Sequence, residues 1–101
     1  MKVILLDDAQ GDFDSLYNYL EVTEPGLGDR LYQETLDAID RIEFFPRSYA
    51  RVYKNFRLCP LRKFKYGMYY HVGRSHVFVH AIFDLRQNPQ TILRMLRSRE
   101  K

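Results

Sequence analysis

At Pro46 the hydrophobic period of this chain changes, and few architectures accommodate the change. Before it, apolar residues recur at helical spacing: Ala9, Phe13, Leu16, Tyr17 and Leu20, then Leu31, Thr35, Ala38, Ile39 and Ile42. After it, Phe56 to Phe64, Met68 to Val72 and His76 to Phe83 are rich in aromatic and β-branched residues, as strands are. Lys2 to Leu6 reads as a short buried strand, and Asp7 or Asp8 offers an N-cap for a helix over 8–22. Glu24-Pro25-Gly26 turns the chain into a second helix over 28–44, which Pro46 closes. Gly73-Arg74-Ser75 is a hairpin turn, Lys65-Tyr66-Gly67 a tighter joint, and Pro60 marks an edge or a bulge. In the last strand Val77, Val79, Ala81 and Phe83 alternate with Phe78, His80, Ile82 and Asp84, so the spacing predicts two covered faces. Asn88-Pro89 starts a basic helix over 89–98. The expected fold is α+β, in the order β-α-α-β-β-β-α. A helical hairpin packs on one face of a small, twisted, mainly antiparallel sheet, which leaves the opposite face free for function.

The 101 residues make one domain, 1–101, and 46% hydrophobic content supplies a core, so disorder is excluded as the main state. The longest purely apolar run is Val3 to Leu6, far too short to cross a bilayer or to act as a signal peptide. The lone Cys59 excludes an intrachain disulfide and suits a reducing cytoplasm.

Charge is more informative than composition. The net charge is only +3, yet residues 1–45 carry 11 acidic and 3 basic side chains, and residues 46–101 carry 2 acidic and 13 basic. Folded, such a chain should have an acidic side and a basic side, and a basic side attracts nucleic acid or an acidic protein segment. The alternative is that the acidic helices and basic strands neutralise each other inside the fold.

Several chemistries lack their residues. No glycine-rich phosphate loop occurs, and Ser48, Ser75 and Ser98 assemble no triad with a histidine. His71, His76 and His80 lack metal-ligand spacing, so no metal or other cofactor is expected. What remains is a basic-aromatic cluster: Arg47, Arg51, Lys54, Arg57, Arg62, Lys63, Lys65 and Arg86, interleaved with Tyr49, Tyr53, Tyr66, Tyr69 and Tyr70. Cations neutralise phosphates and aromatics stack on bases, so the cluster suits single-stranded RNA. The competing reading puts Phe64, Tyr69 and Tyr70 in the core.

Three stretches carry a resemblance: Phe44-Phe45-Pro46, Arg57 to Val72 (RLCPLRKFKYGMYYHV) and His80 to Pro89 (HAIFDLRQNP). Their ordered set resembles the RelE/ParE superfamily of type II toxin–antitoxin toxins, whose element order is the one read above. The resemblance implies a small toxin held inactive by a cognate antitoxin that wraps a helix and an extended segment around it. RelE-type members cut mRNA on the ribosome; ParE-type members inhibit DNA gyrase by binding it. Arg86 matches the arginine after the last strand of the RelE-type enzymes. Their strand arginine falls at Gly67, their C-terminal tyrosine near Ile92, and their lysines near Leu58 and Pro60, so the nuclease set is broken.

The favoured expectation is therefore a ParE-like toxin that docks on a macromolecular target such as gyrase. Lys54, Lys63, Lys65, Tyr66, Arg94 and Arg97 are its candidate contacts. The alternative is a ribosome-dependent endoribonuclease with Arg86, Arg57 and Arg62 clamping phosphate and His80 as base. A third reading is a plain nucleic-acid-binding module without toxicity. The expected partners are the antitoxin and either gyrase or the ribosome with its mRNA, with no membrane; the assemblies allowed are a homodimer and a toxin–antitoxin hetero-oligomer.

Overall fold

The computed structural model describes residues 1–100. In chain order the elements are β1 (Lys2–Leu5), α1 (Asp7–Thr23), α2 (Leu27–Phe44), β2 (Arg51–Tyr53), β3 (Phe56–Pro60), β4 (Tyr66–Val72), β5 (His76–Asp84) and α3 (Pro89–Arg99). The predicted order holds, with one addition: β2, a three-residue edge strand too short to show a period. The strands form one sheet in the order β1-β5-β4-β3-β2. β1 runs parallel to β5 and every other neighbour is antiparallel.

The hairpin follows its apolar spacing. Ala9 and Leu20 of α1 and Leu31, Thr35, Ala38 and Ile42 of α2 are buried. They pack on Cys59, Met68, Tyr70, Val77, Val79 and Ile82 of the sheet. No side chain caps α1, which begins directly at Asp7 after extended Leu6; Asp7 and Asp8 sit inside the first turn instead. The turn between the helices uses Gly26 at φ 98°, a conformation that costs a residue with a Cβ. Glu21 of α1 then accepts the amides of Gly26 (3.0 Å) and Gly28 (2.8 Å), satisfying donors that α2 leaves open.

Four expectations need correction. First, the opposite sheet face is not free. α3 lies on it, and Ile92 and Leu96 join Phe56, Tyr69, Ala81 and Phe83 in a second, smaller core. Second, β5 does not alternate throughout. Tyr69 pairs with Ala81 but Tyr70 pairs with Val79, so His80 is an extra residue and the strand bulges there. Val77 and Val79 therefore face the hairpin, whereas Ala81 and Phe83 face α3. Asp12 of α1 fills the gap in the ladder: its Oδ2 accepts the Ile82 amide at 2.9 Å. The first antiparallel strand also stops at Pro60 rather than Phe64, and Tyr66 and Gly67 belong to β4 instead of a joint.

Candidate macromolecule-binding site

Beside α3 the sheet face opens into an apolar groove of about 400 Å³. Val52 and Leu58 form one wall, Ile92, Leu93 and Leu96 of α3 the other, with Tyr69 and Leu85 between them. The helix is set by its first residues: the Asn88 side chain accepts the Gln90 amide at 2.8 Å and Pro89 fixes the first turn. Gly67 lies under this groove. A Cβ there would come within 2.5 Å of Leu58 Cδ1 and 3.0 Å of Leu85 Cδ2. Three of the four sequence positions where ionisable groups are replaced, Leu58, Gly67 and Ile92, thus meet at one place; the fourth, Pro60, is exposed at the end of β3 and does not line the groove. That groove is largely hydrophobic: its lining residues include no cation that could stabilise a phosphorane, and its polar ones are Gln87 and Tyr69, whose hydroxyl pKa burial raises.

Four of the predicted cations gather at one end of the sheet. Arg62, Lys63 and Lys65 are exposed on the β3–β4 turn, and Arg86 is exposed just after β5. The two loops are joined where the Leu85 amide donates to the Lys65 carbonyl at 2.8 Å. Glu34, buried on α2, accepts the amides of Arg62 (3.1 Å) and Lys63 (3.2 Å), which fixes the turn and leaves both cationic side chains outward. Arg86 is partly spent: its guanidinium grips Asp84 through two bonds, of 3.0 and 2.7 Å. That grip holds the Asp84 carboxyl below the usual carboxylate range. Arg94 and Arg97 are exposed on α3. Arg62, Lys63, Lys65, Arg94 and Arg97 make no ion pair among the described residues.

The remaining candidates lie elsewhere. Arg57 is a brace: its Nη1 donates to the carbonyls of Tyr49 (2.6 Å) and Arg47 (3.3 Å), holding the chain between α2 and β2. Lys54 pairs with Glu100 at 3.1 Å. Tyr66 is 5% exposed and stacked on Phe64, so it is core and offers no surface for stacking; burial raises its hydroxyl pKa. Tyr69 and Tyr70 are buried as well. His80 is buried on the bulge, and its ring meets His71 at 2.9 Å. Arg57 is level with that bulge, since it pairs with Tyr70 and Tyr70 pairs with Val79, but its guanidinium is taken by the Tyr49 and Arg47 carbonyls, and Arg62 and Arg86 lie at the other end of the strands. The proposed phosphate clamp and base are therefore not assembled into one site.

Sequence reading missed the group that holds α3 in place. Arg99 Nη1 and Nη2 donate to Asp12 at 2.6 and 3.0 Å, and Nη1 also donates to the His80 carbonyl at 3.0 Å. Its guanidinium lies 4.9 Å from the Phe83 ring centroid. No local pattern links residues 12 and 99. The one available signal was an acidic residue on the otherwise apolar side of α1.

Comparison with known proteins agrees with this geometry. The family model for the ParE toxin of the type II toxin–antitoxin system parDE matches residues 3–89. The fold is similar to that of a chain in a solved structure of a chromosomal ParDE toxin–antitoxin system from P. aeruginosa, with a TM-score of 0.76. Identity to that chain is 14%, and the superposition covers 85% of this chain and 97% of that one. No curated protein sequence matches. With the family match running from β1 to the start of α3, the chain belongs to the ParE toxin family of type II toxin–antitoxin systems.

Proposed function

We propose that this toxin acts by binding a macromolecular target, in the manner of an inhibitor of DNA gyrase, and that a cognate antitoxin neutralises it by occupying the same face. The observation that carries the reading is the convergence of Leu58, Gly67 and Ile92 on one apolar groove. A desolvated groove flanked by exposed cations fits an amphipathic, acidic protein segment better than it fits a scissile phosphate. The surfaces offered for contact are the groove itself, the exposed Arg94 and Arg97 of α3, and the Arg62, Lys63 and Lys65 turn. No helix among the described residues is long and apolar enough to cross a membrane, which accords with a target in the cytoplasm.

Three measurements test this. Expression without a partner should arrest growth, and the purified chain should inhibit gyrase supercoiling and accumulate cleaved DNA complexes. Primer extension on cellular mRNA should show no ribosome-associated cuts. Cuts that disappear in Arg86→Ala would replace this reading with the endoribonuclease one.

A further inference from the structure

A second cleft, of about 390 Å³, lies toward the other ends of β4 and β5. His71 and His80 line it together with Leu6, Phe56 and Phe78, and Lys54 and Glu100 stand beside them. Nδ1 of His71 and Nε2 of His80 are 2.9 Å apart, so one ring donates a hydrogen bond to the other. The C-terminal end of α3 is fastened at the same place. Arg99 donates to the His80 carbonyl at 3.0 Å and to Asp12, while Glu100 accepts from the Tyr53 hydroxyl at 3.3 Å and from Lys54 at 3.1 Å. Phe56, which meets the His80 ring edge-on at 4.9 Å, belongs to the small core that α3 covers. The toxin reading uses neither the histidine pair nor this fastening.

Such a contact limits how many protons the pair can hold. It survives the gain of one, because an imidazolium still donates to a neutral ring. It does not survive the gain of two, because both facing nitrogens then carry hydrogen. Parted and wet, the rings take up both below about pH 6.5. The surroundings resist even the first. Arg99 of α3 stands against His80, and Lys54 of the β2–β3 turn adds a second cation to the cleft. The carboxylates in reach are engaged with those cations: Asp8 and Asp12 of α1 lie 3.9 and 2.6 Å from Arg99, and Glu100 holds Lys54. β1 brings only Leu6 to the cleft, and His76 at the head of β5 contacts Ser75 instead. Burial, and after it the charges of His71 and Arg99, lowers the His80 pKa, and burial lowers that of His71. The closed pair therefore binds fewer protons than the open one. Its contribution to stability is complete above about pH 6.5 and is lost as pH falls toward the lowered values of the folded state.

We propose that the His71–His80 contact is a proton-sensitive latch on α3: in mild acid the pair parts and the C-terminal end of the helix leaves the sheet. The cleft beside the rings gives them room to turn outward. Parting disturbs the His80 carbonyl that Arg99 holds and the edge on which Phe56 rests, so the motion passes from the β5 bulge into the small core. Little else retains the helix once this end is free, since Ile92 and Leu96 are its only buried residues. Because Ile92, Leu93 and Leu96 form one wall of the apolar groove, the same protons control whether the groove is intact. Each proton taken up on opening raises the open population about tenfold per pH unit.

The test is a pH titration of the full chain, from neutral to about pH 4, followed through its methionine methyl groups by NMR. Met95 packs in the small core beside α3, and Met68 is fully buried in the main core beneath the hairpin. The Met95 methyl should move toward its solvent-exposed position below about pH 6.5, while Met68 keeps its buried one. His71→Phe and His80→Gln, made separately, should each shift the Met95 midpoint by at least about half a pH unit or abolish the transition. A Met95 signal that is constant down to about pH 5, or that changes only near pH 4 where carboxylates titrate, would overturn the latch. So would Met95 and Met68 changing together, which is global unfolding, or a wild-type midpoint in whichever variants fold. The wild-type chain carries the primary readout, so a variant that misfolds leaves the test intact. No target or antitoxin enters the measurement, so a negative result leaves the toxin reading standing.

Discussion

Asp12 illustrates how one side chain can do three jobs. It accepts the amide that the β5 bulge leaves unpaired, it neutralises Arg99, and through Arg99 it anchors the end of α3. Both partners are shielded, with side chains 17% and 19% exposed, so breaking the pair strands a charge instead of returning it to water. Asp12→Ala should cost about 2–3 kcal/mol, read as a lowered midpoint in urea unfolding. Asp12→Asn should cost less, because its amide oxygen still accepts from Ile82. A second prediction concerns alkali. Burial raises the Tyr70 hydroxyl to about 12, while its proton donates to the Pro46 carbonyl at 2.8 Å. The folded value lies above the ordinary tyrosine value of about 10, so the neutral form is favoured by folding. Its contribution, on the order of 2 kcal/mol, is complete below pH ~10 and is lost as pH rises through the folded value. Circular dichroism against pH should show alkaline unfolding that Tyr70→Phe shifts upward, even though that variant is slightly less stable at neutral pH.

At the scale of elements, β2 and α3 do the most to shape the binding face. Val52 of β2 is 49% exposed, which is wasteful for folding and useful for docking. Val52→Glu should leave the melting temperature nearly unchanged while weakening antitoxin or target binding at least about tenfold; calorimetry paired with thermal melts separates the two effects. These two elements also mark the limits of what the sequence revealed. α1, α2 and the long strands were legible because each repeats its apolar spacing over several turns or pleats. The Asn88-Pro89 start of α3 was legible too, because capping is a local event. Where α3 would lie was not. Its apolar stripe shows only that it packs somewhere, and the sheet face it chose depends on the Phe56, Tyr69 and Phe83 surface brought together from three strands. The bulge at His80 was hidden for a similar reason: an extra residue in a strand looks the same as an ordinary one until its partner is known. Of the candidate contacts, the exposed turn Arg62, Lys63 and Lys65 was readable from charge, whereas burial of Tyr66 needed Phe64 and the hairpin on top of it.

For the molecule as a whole, folding preserves the division of charge seen along the chain. The carboxylates of Asp7, Asp8, Asp14, Glu24, Asp29, Asp37 and Asp40 stay exposed on the hairpin, while exposed cations without an ion pair sit on the β3–β4 turn, which α2 holds through Glu34, and on α3 across the sheet; Arg30 is one such cation on the hairpin itself. Some neutralisation does occur, at Arg99 with Asp8 and Asp12, Arg86 with Asp84, and Lys54 with Glu100, but it leaves both sides with their sign. Association with an acidic antitoxin should therefore slow as salt is added, with the dissociation rate changing much less. Stopped-flow measurements across ionic strength would reveal it, and a flat on-rate would remove electrostatics from the encounter. Because α1 and α2 lie on one face of the sheet and α3 on the other, this molecule has a heading. In the field of a polyanion it is turned before it touches, hairpin trailing, so collisions made the wrong way round are largely avoided instead of corrected.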